Sequence, residues 1–144
     1  MPHLFVDAHQ DLAWNMLTFG RDYTLPVEEI RRREKNLPHI LENNGDTVLG
    51  WPEYQRGRVA LVFATLFAAP MRVKMGDWDT QVYETPDQAR RLYQQQLDTY
   101  DRLFDRHPGK FTPIHTAPQL ASLLEIWNQP ENAHPDGRPT GVVT

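Results

Sequence analysis

Apolar residues along this chain fall into short runs and helical stripes. Leu4-Phe5-Val6 is an apolar run followed at once by polar residues, which predicts a buried strand ending near Asp7 to Asp11. From Arg58 to Leu66, the residues Val59, Leu61, Val62, Phe63 and Leu66 are apolar on both parities. That pattern predicts a strand covered on both faces, as in a parallel sheet. Thr85 as N-cap, Pro86 at the first helical position and Asp87 near the positive end of the dipole then open a helix. Its apolar positions Ala89, Leu92, Tyr93, Leu97, Tyr100, Leu103 and Phe104 follow three-and-four spacing, and His107-Pro108-Gly109 should end it. A short strand over Lys110 to Ile114 follows. Thr116 and Gln119 then form a capping-box pattern ahead of Leu120, Leu123, Leu124 and Trp127, predicting a second helix.

Other stretches are less periodic. The chain beyond the first strand reads as irregular until Pro26 to Asn43, which has helical character with Val27, Ile30, Leu37, Ile40 and Leu41 as inward positions, interrupted at Pro38. Asn43-Asn44-Gly45-Asp46 signals a turn, and Ala69 to Glu84 and Gln129 to Pro139 read as loops. Gly141-Val142-Val143-Thr144 reads as a strand beginning. Strand, helices, strand is the order of an α/β protein with parallel strands, and no internal repeat is evident.

Composition narrows the functional classes. The 144 residues are 40% hydrophobic and 24% charged, as in globular sequences. Without cysteine, no disulfide, thiolate nucleophile or cysteine zinc site can form, so any metal must be held by His, Asp or Glu. A formal net charge of -4 provides no electrostatic footprint for nucleic acid. Val59 to Pro70, the longest mostly apolar run, is shorter than the roughly 20 residues that cross a bilayer, so no membrane span is expected. Met1 to Val6 lacks the basic segment of a signal peptide, and a cytoplasmic location is the expectation.

The candidate chemistry lies in Asp7-Ala8-His9-Gln10-Asp11. If the backbone stays extended, side chains at alternate positions project to one side, so His9 and Asp11 could grip one ion. A neutral imidazole and a carboxylate suit zinc, and strand ends are where (β/α)8 enzymes place catalytic groups. Asp7 shares the parity but could equally accept a hydrogen bond from neighbouring backbone. His-x-Asp alone also fits a strand-end turn in which Asp caps backbone amides and His packs against a neighbour.

The neighbouring residues add to this. Phe5-Val6-Asp7-Ala8-His9-Gln10-Asp11-Leu12-Ala13-Trp14 resembles the opening signature of the membrane dipeptidase (renal dipeptidase) family, where an Asp-Gly-His-Asn-Asp-Leu-Pro-type sequence ends the first barrel strand. Arg56-Gly57-Arg58 leading into Val59 to Ala64 is similar to that family's glycine-led second strand. The long helix, Pro108-Gly109-Lys110-Phe111 and the Thr116 helix are similar to its next segment. Ala8, Gln10 and Ala13 depart from the family's Gly, Asn and Pro, beside an intact ligand pair.

The resemblance implies an α/β fold, the N-terminal portion of a (β/α)8 TIM-type barrel. It also implies a zinc-dependent dipeptidase in which two zinc ions and a bridging hydroxide cleave the peptide bond of a dipeptide. His9 and Asp11 match the metal ligands of the first strand, and Trp14 matches a substrate-side aromatic near the site mouth, with a wedge in the core as its alternative role. The family's bridging Glu and further His ligands lie on later strands. The expectation is therefore that residues 1–144 are part of a single barrel domain, incomplete and truncated near the start of the third main strand. Alone, they should be poorly stable and show little or no activity. Full-length relatives imply a homodimer. Another metal-dependent amidohydrolase or phosphoesterase, which more often opens with His-x-His, and a non-catalytic binding module are the rival readings. Arg31-Arg32-Arg33 among glutamates reads as a solvated face. Asp77 and Asp79 read as a loop tip in solvent, with cation binding as the alternative, while Trp78 and Tyr83 could help form a loop near a barrel mouth.

Overall fold

The computed structural model describes residues 3–144. Four parallel strands, β1 (Phe5–Gln10), β2 (Val59–Ala64), β5 (Phe111–Pro113) and β6 (Thr140–Val143), form one sheet in the order β1-β2-β6-β5. The first connection holds the helices α1 (Leu12–Phe19), α2 (Val27–Glu34), α3 (Pro38–Asn44) and α4 (Trp51–Gly57). The second carries a two-residue ladder of β3 (Ala69–Pro70) on β4 (Val82–Tyr83) and then α5 (Pro86–Arg106); α6 (Ala117–Asn128) forms the third. The expected α/β class with parallel strands is what is found.

The chain order places helices on both faces. From β1 to β2 to β5 the chain moves one way across the sheet, and from β5 to β6 it turns back. With right-handed crossovers, that reversal puts the connecting helix on the opposite face. Accordingly, Val62, Ala64 and Val142 pack with Leu12, Tyr54, Tyr100, Leu103 and Phe104, whereas Leu61 and Val143 pack with Leu123 and Trp127 of α6. Adjacent strand residues point to opposite faces, so the apolar character of β2 on both parities has its cause here. Gly141 lies where α6 presses closest: a Cβ there would sit 2.4 Å from Leu123 and 2.9 Å from Leu61 and Ile114.

Local signals account for the two best helices. Thr85 and Gln88 close a capping box at α5, as do Thr116 and Gln119 at α6, each with proline at the helix start. Of the stripe expected on α5, Tyr100, Leu103 and Phe104 are buried, but Leu92, Tyr93 and Leu97 are only half-buried.

Several expectations are corrected. The irregular stretch after the first strand is α1, and a further short helix, α4, precedes β2. The first strand is not buried. It is a sheet edge paired only to β2, which leaves Phe5 59% and Val6 58% exposed. Pro38 opens a new helix instead of merely interrupting one, and this resets the phase: Ile40 is buried, while Leu37, now the N-cap, and Leu41 face solvent. Among the described residues no helix is long and apolar enough to cross a membrane.

Candidate metal site at the carboxyl end of the sheet

The expected ligand pair is brought together, by a different route from strand alternation. The β1–β2 register shifts between Asp7 and Gln10, and Asp11, the residue before α1, leaves the extended region with φ -85 and ψ 50. This bulge and turn place His9 Nε2 3.5 Å from Asp11 Oδ2. Donors on a tetrahedral zinc at about 2.0–2.1 Å are roughly 3.3–3.4 Å apart, so the observed gap matches one edge of that polyhedron. The donor types fit as well. His9 is open, with 71% of its side chain exposed, and Asp11 is half-buried at 34%.

Asp7 has another task. Its Oδ1 accepts the His9 backbone N–H at 3.1 Å and its Oδ2 accepts Gln10 Nε2 at 2.5 Å, so it braces the bulge. Asp11, in contrast, makes no side-chain bond to the α1 amides, and the backbone-capping role considered for it is not realised. Its second oxygen, Oδ1, accepts instead from the Thr65 hydroxyl, whose residue follows β2 directly. Thr65 N–H also donates to the Gln10 carbonyl at 2.9 Å. One carboxylate oxygen is thereby oriented by a neighbour while the other faces His9, the arrangement by which outer partners aim a ligand.

Beneath this surface lies Tyr100 of α5. Its hydroxyl accepts the Ala13 N–H and donates to the Thr65 carbonyl, each at 3.1 Å, tying α1, the end of β2 and α5 together. Burial pushes its phenol from 10.0 up to about 12. Burial raises Tyr23 likewise to about 12 and raises Tyr54 further still. On the other side, the Asp11 carbonyl accepts Asn15 Nδ2 at 2.9 Å. Asn15 Oδ1 in turn accepts from Asn44 at 2.6 Å and from Arg21 at 3.3 Å, and Arg21 is paired to Glu34 in a buried bridge of 2.8 Å. Sequence reading missed Thr65, Tyr100 and Asn15. The only local hint was a polar residue, Thr65, ending the apolar β2 run.

Trp14 is 9% exposed and sits in an aromatic cluster, edge-on to Phe19 at 5.4 Å, Phe67 at 6.1 Å and Trp78 at 6.4 Å. Trp78 stacks on Phe19 at 5.5 Å, so it closes this cluster. Asp79 is a further correction: it is 4% exposed and accepts the Met75 N–H at 3.3 Å, so it braces its loop and is no solvent tip, whereas Asp77 is exposed. Arg32 and Arg33 pair with Glu29 on an open helix face, and their hydrogen bonds lower the Glu29 pKa.

Among the described residues no group of three or more His, Asp or Glu side chains converges on one point. Comparison with family models, curated proteins and solved structures returned no match.

Proposed function

We propose that His9 and Asp11 are the first-strand ligands of a zinc-dependent dipeptidase, and that the parallel sheet is the N-terminal part of a (β/α)8 barrel. The observation that carries this reading is the His9–Asp11 separation of 3.5 Å at the carboxyl end of a parallel strand, with Thr65 holding the second Asp11 oxygen. The opening-strand resemblance supplies the reaction class. His9 and Asp11 would hold a zinc ion whose chemistry there would be to polarise a carbonyl and acidify water. The chain's own part is to aim the ligands: Asp7 braces the bulge that presents His9, Thr65 orients Asp11, and Tyr100 fixes Thr65. In this reading the remaining ligands, for two zinc ions in all, belong to later strand ends, a dipeptide is the substrate, and the active protein is a homodimer. Trp14 is the substrate-side aromatic of this reading, although it is only 9% exposed within its aromatic cluster. One feature departs from the barrel plan, because α6 covers the second sheet face, where a barrel keeps its helices outside.

Two ligands hold zinc more weakly than three or four. The chain is therefore expected to show a weak zinc preference at His9 and no dipeptide turnover by itself. Histidine resonances followed during zinc titration of the full chain test this. His9 should respond at lower zinc than the other histidines, and Asp11→Asn should remove that preference. An equal response of all histidines would overturn the ligand assignment, and tight stoichiometric zinc with dipeptide hydrolysis would overturn the two-ligand half-site.

A further inference from the structure

At the opposite end of the sheet, Arg58 and Arg138 stand just before the adjacent parallel strands β2 and β6. Both line a cavity of about 410 Å³ together with Trp127, Gln129 and Glu131. Arg138 is 5% exposed. Its guanidinium lies 5.4 Å over the Trp127 ring, one terminal nitrogen donates to the Gln129 carbonyl at 2.8 Å, and its Nε has no partner. Among the described residues no carboxylate lies within ion-pair reach of it, which is unusual for a buried guanidinium, since burying an uncompensated charge is costly. Arg58 adds a second cation. It adopts φ 53, a left-handed conformation rare outside glycine, donates to the His3 carbonyl at 3.2 Å and lies 3.6 Å from Glu131. Glu131 is 81% exposed, so this contact is open to competition.

We propose that this cavity is an oxyanion site, taking a carboxylate or phosphate group between the guanidinium groups of Arg138 and Arg58. Arg138 supplies the buried, stacked fork suited to a planar or tetrahedral oxyanion. Arg58 supplies the second cation, with the exposed Glu131 occupying it in the absence of ligand. The cavity lies across the sheet from His9 and Asp11, and nothing in the proposal depends on metal binding there.

The arginine Nε–H resonances of the full ¹⁵N-labelled chain provide the test, titrated separately with inorganic phosphate, with acetate, and with chloride at matched ionic strength. Saturable shifts of Arg138 and Arg58 with phosphate alone assign a phosphate ligand, and with acetate alone a carboxylate ligand. Shifts with both assign a general oxyanion site. Shifts with neither, or equal shifts with chloride, overturn the proposal. Removing the internal competitor by Glu131→Gln should tighten binding about two- to fivefold, as loss of an exposed ion pair allows. Arg58→Met should weaken it by about tenfold, the scale of one charge-assisted contact. Unchanged affinity in both variants would also overturn it, and since both side chains are outside the core these readings do not hinge on refolding a damaged interior.

Discussion

Replacing Tyr100 by phenylalanine removes one oxygen and two hydrogen bonds, leaving the Ala13 N–H and the Thr65 carbonyl without their partner. Ala13 is fully buried, and an unsatisfied buried donor costs about 1–3 kcal/mol. Thr65 is half-buried, so its carbonyl can turn partly to water and adds less. We expect a loss of about 2–3 kcal/mol near neutral pH. At about 2.1 cal/mol/K of unfolding entropy per residue, a chain of 144 residues has roughly 0.3 kcal/mol/K, so Tm should fall by about 7–10 °C. The same residue predicts a pH signature. Its folded pKa of about 12 lies above the unfolded value of 10.0, so its contribution is complete below pH 10.0 and is lost as pH rises through about 12. Over that window the unfolded state releases its proton first, and each such group costs up to about 1.4 kcal/mol per pH unit. Tyr100→Phe lacks this titration, so its deficit relative to the parent chain should shrink by about 1.4 kcal/mol between pH 8 and pH 11. Urea unfolding followed by far-ultraviolet circular dichroism at both pH values measures each quantity. A deficit below about 0.5 kcal/mol, or one unchanged at pH 11, would refute the two-bond account.

Two other buried polar groups give comparable tests. Gln96, fully buried, accepts the Phe67 N–H at 2.9 Å and donates to the Phe67 carbonyl at 2.6 Å, acting as a one-residue strand partner for the segment after β2. Gln96→Leu should cost about 2–4 kcal/mol and speed hydrogen exchange at the Phe67 amide, whereas unchanged exchange would count against that pairing. Arg21→Met should cost about 3–5 kcal/mol by stranding Glu34, and the double change Arg21→Met with Glu34→Leu should recover much of that loss. A double variant as unstable as the single one would show that the remaining bonds of Arg21, to Asn15 and to the Gly45 carbonyl at 2.8 Å, matter more than the ion pair.

The elements that could be read in advance are those whose ends carry their own chemistry. Thr85 and Thr116 close capping boxes with Gln88 and Gln119, and β2 is apolar on both parities because helices cover both faces over Ala60 to Val62, although Phe63 is left 43% exposed. The elements that could not be read depend on tertiary contacts. In α1, Leu12, Ala13, Trp14 and Phe19 are all buried and its two polar side chains, Asn15 and Thr18, are themselves half-buried, so the contrast between faces is slight, and Asp11 spends its carboxylate on Thr65 rather than on the helix amides. Only Gly20, in the left-handed conformation at φ 68, gave a local sign of the helix end. The helix α4 begins at Gly50 without a side-chain cap, and a Cβ there would lie 2.2 Å from the Leu25 carbonyl, so its start is set by packing against a distant segment. Arg58 and Arg138 are 80 residues apart and line one cavity because β2 and β6 are neighbours, which strand order alone decides.

That dependence bears directly on the His9–Asp11 pair. Strand alternation suggested the pair for a reason the fold does not use, since β1 is bulged and Asp11 has left the strand. What holds the two donors 3.5 Å apart is the bracing of the bulge by Asp7, the grip of Thr65 on Asp11, and the anchoring of Thr65 by Tyr100. A pair fixed by alternation would survive any change in α5. A pair fixed by this relay should not, so Tyr100→Phe ought to blunt the zinc preference proposed for His9 under conditions where the chain is still folded. Retention of that preference would mean that the strand end alone organises the ligands.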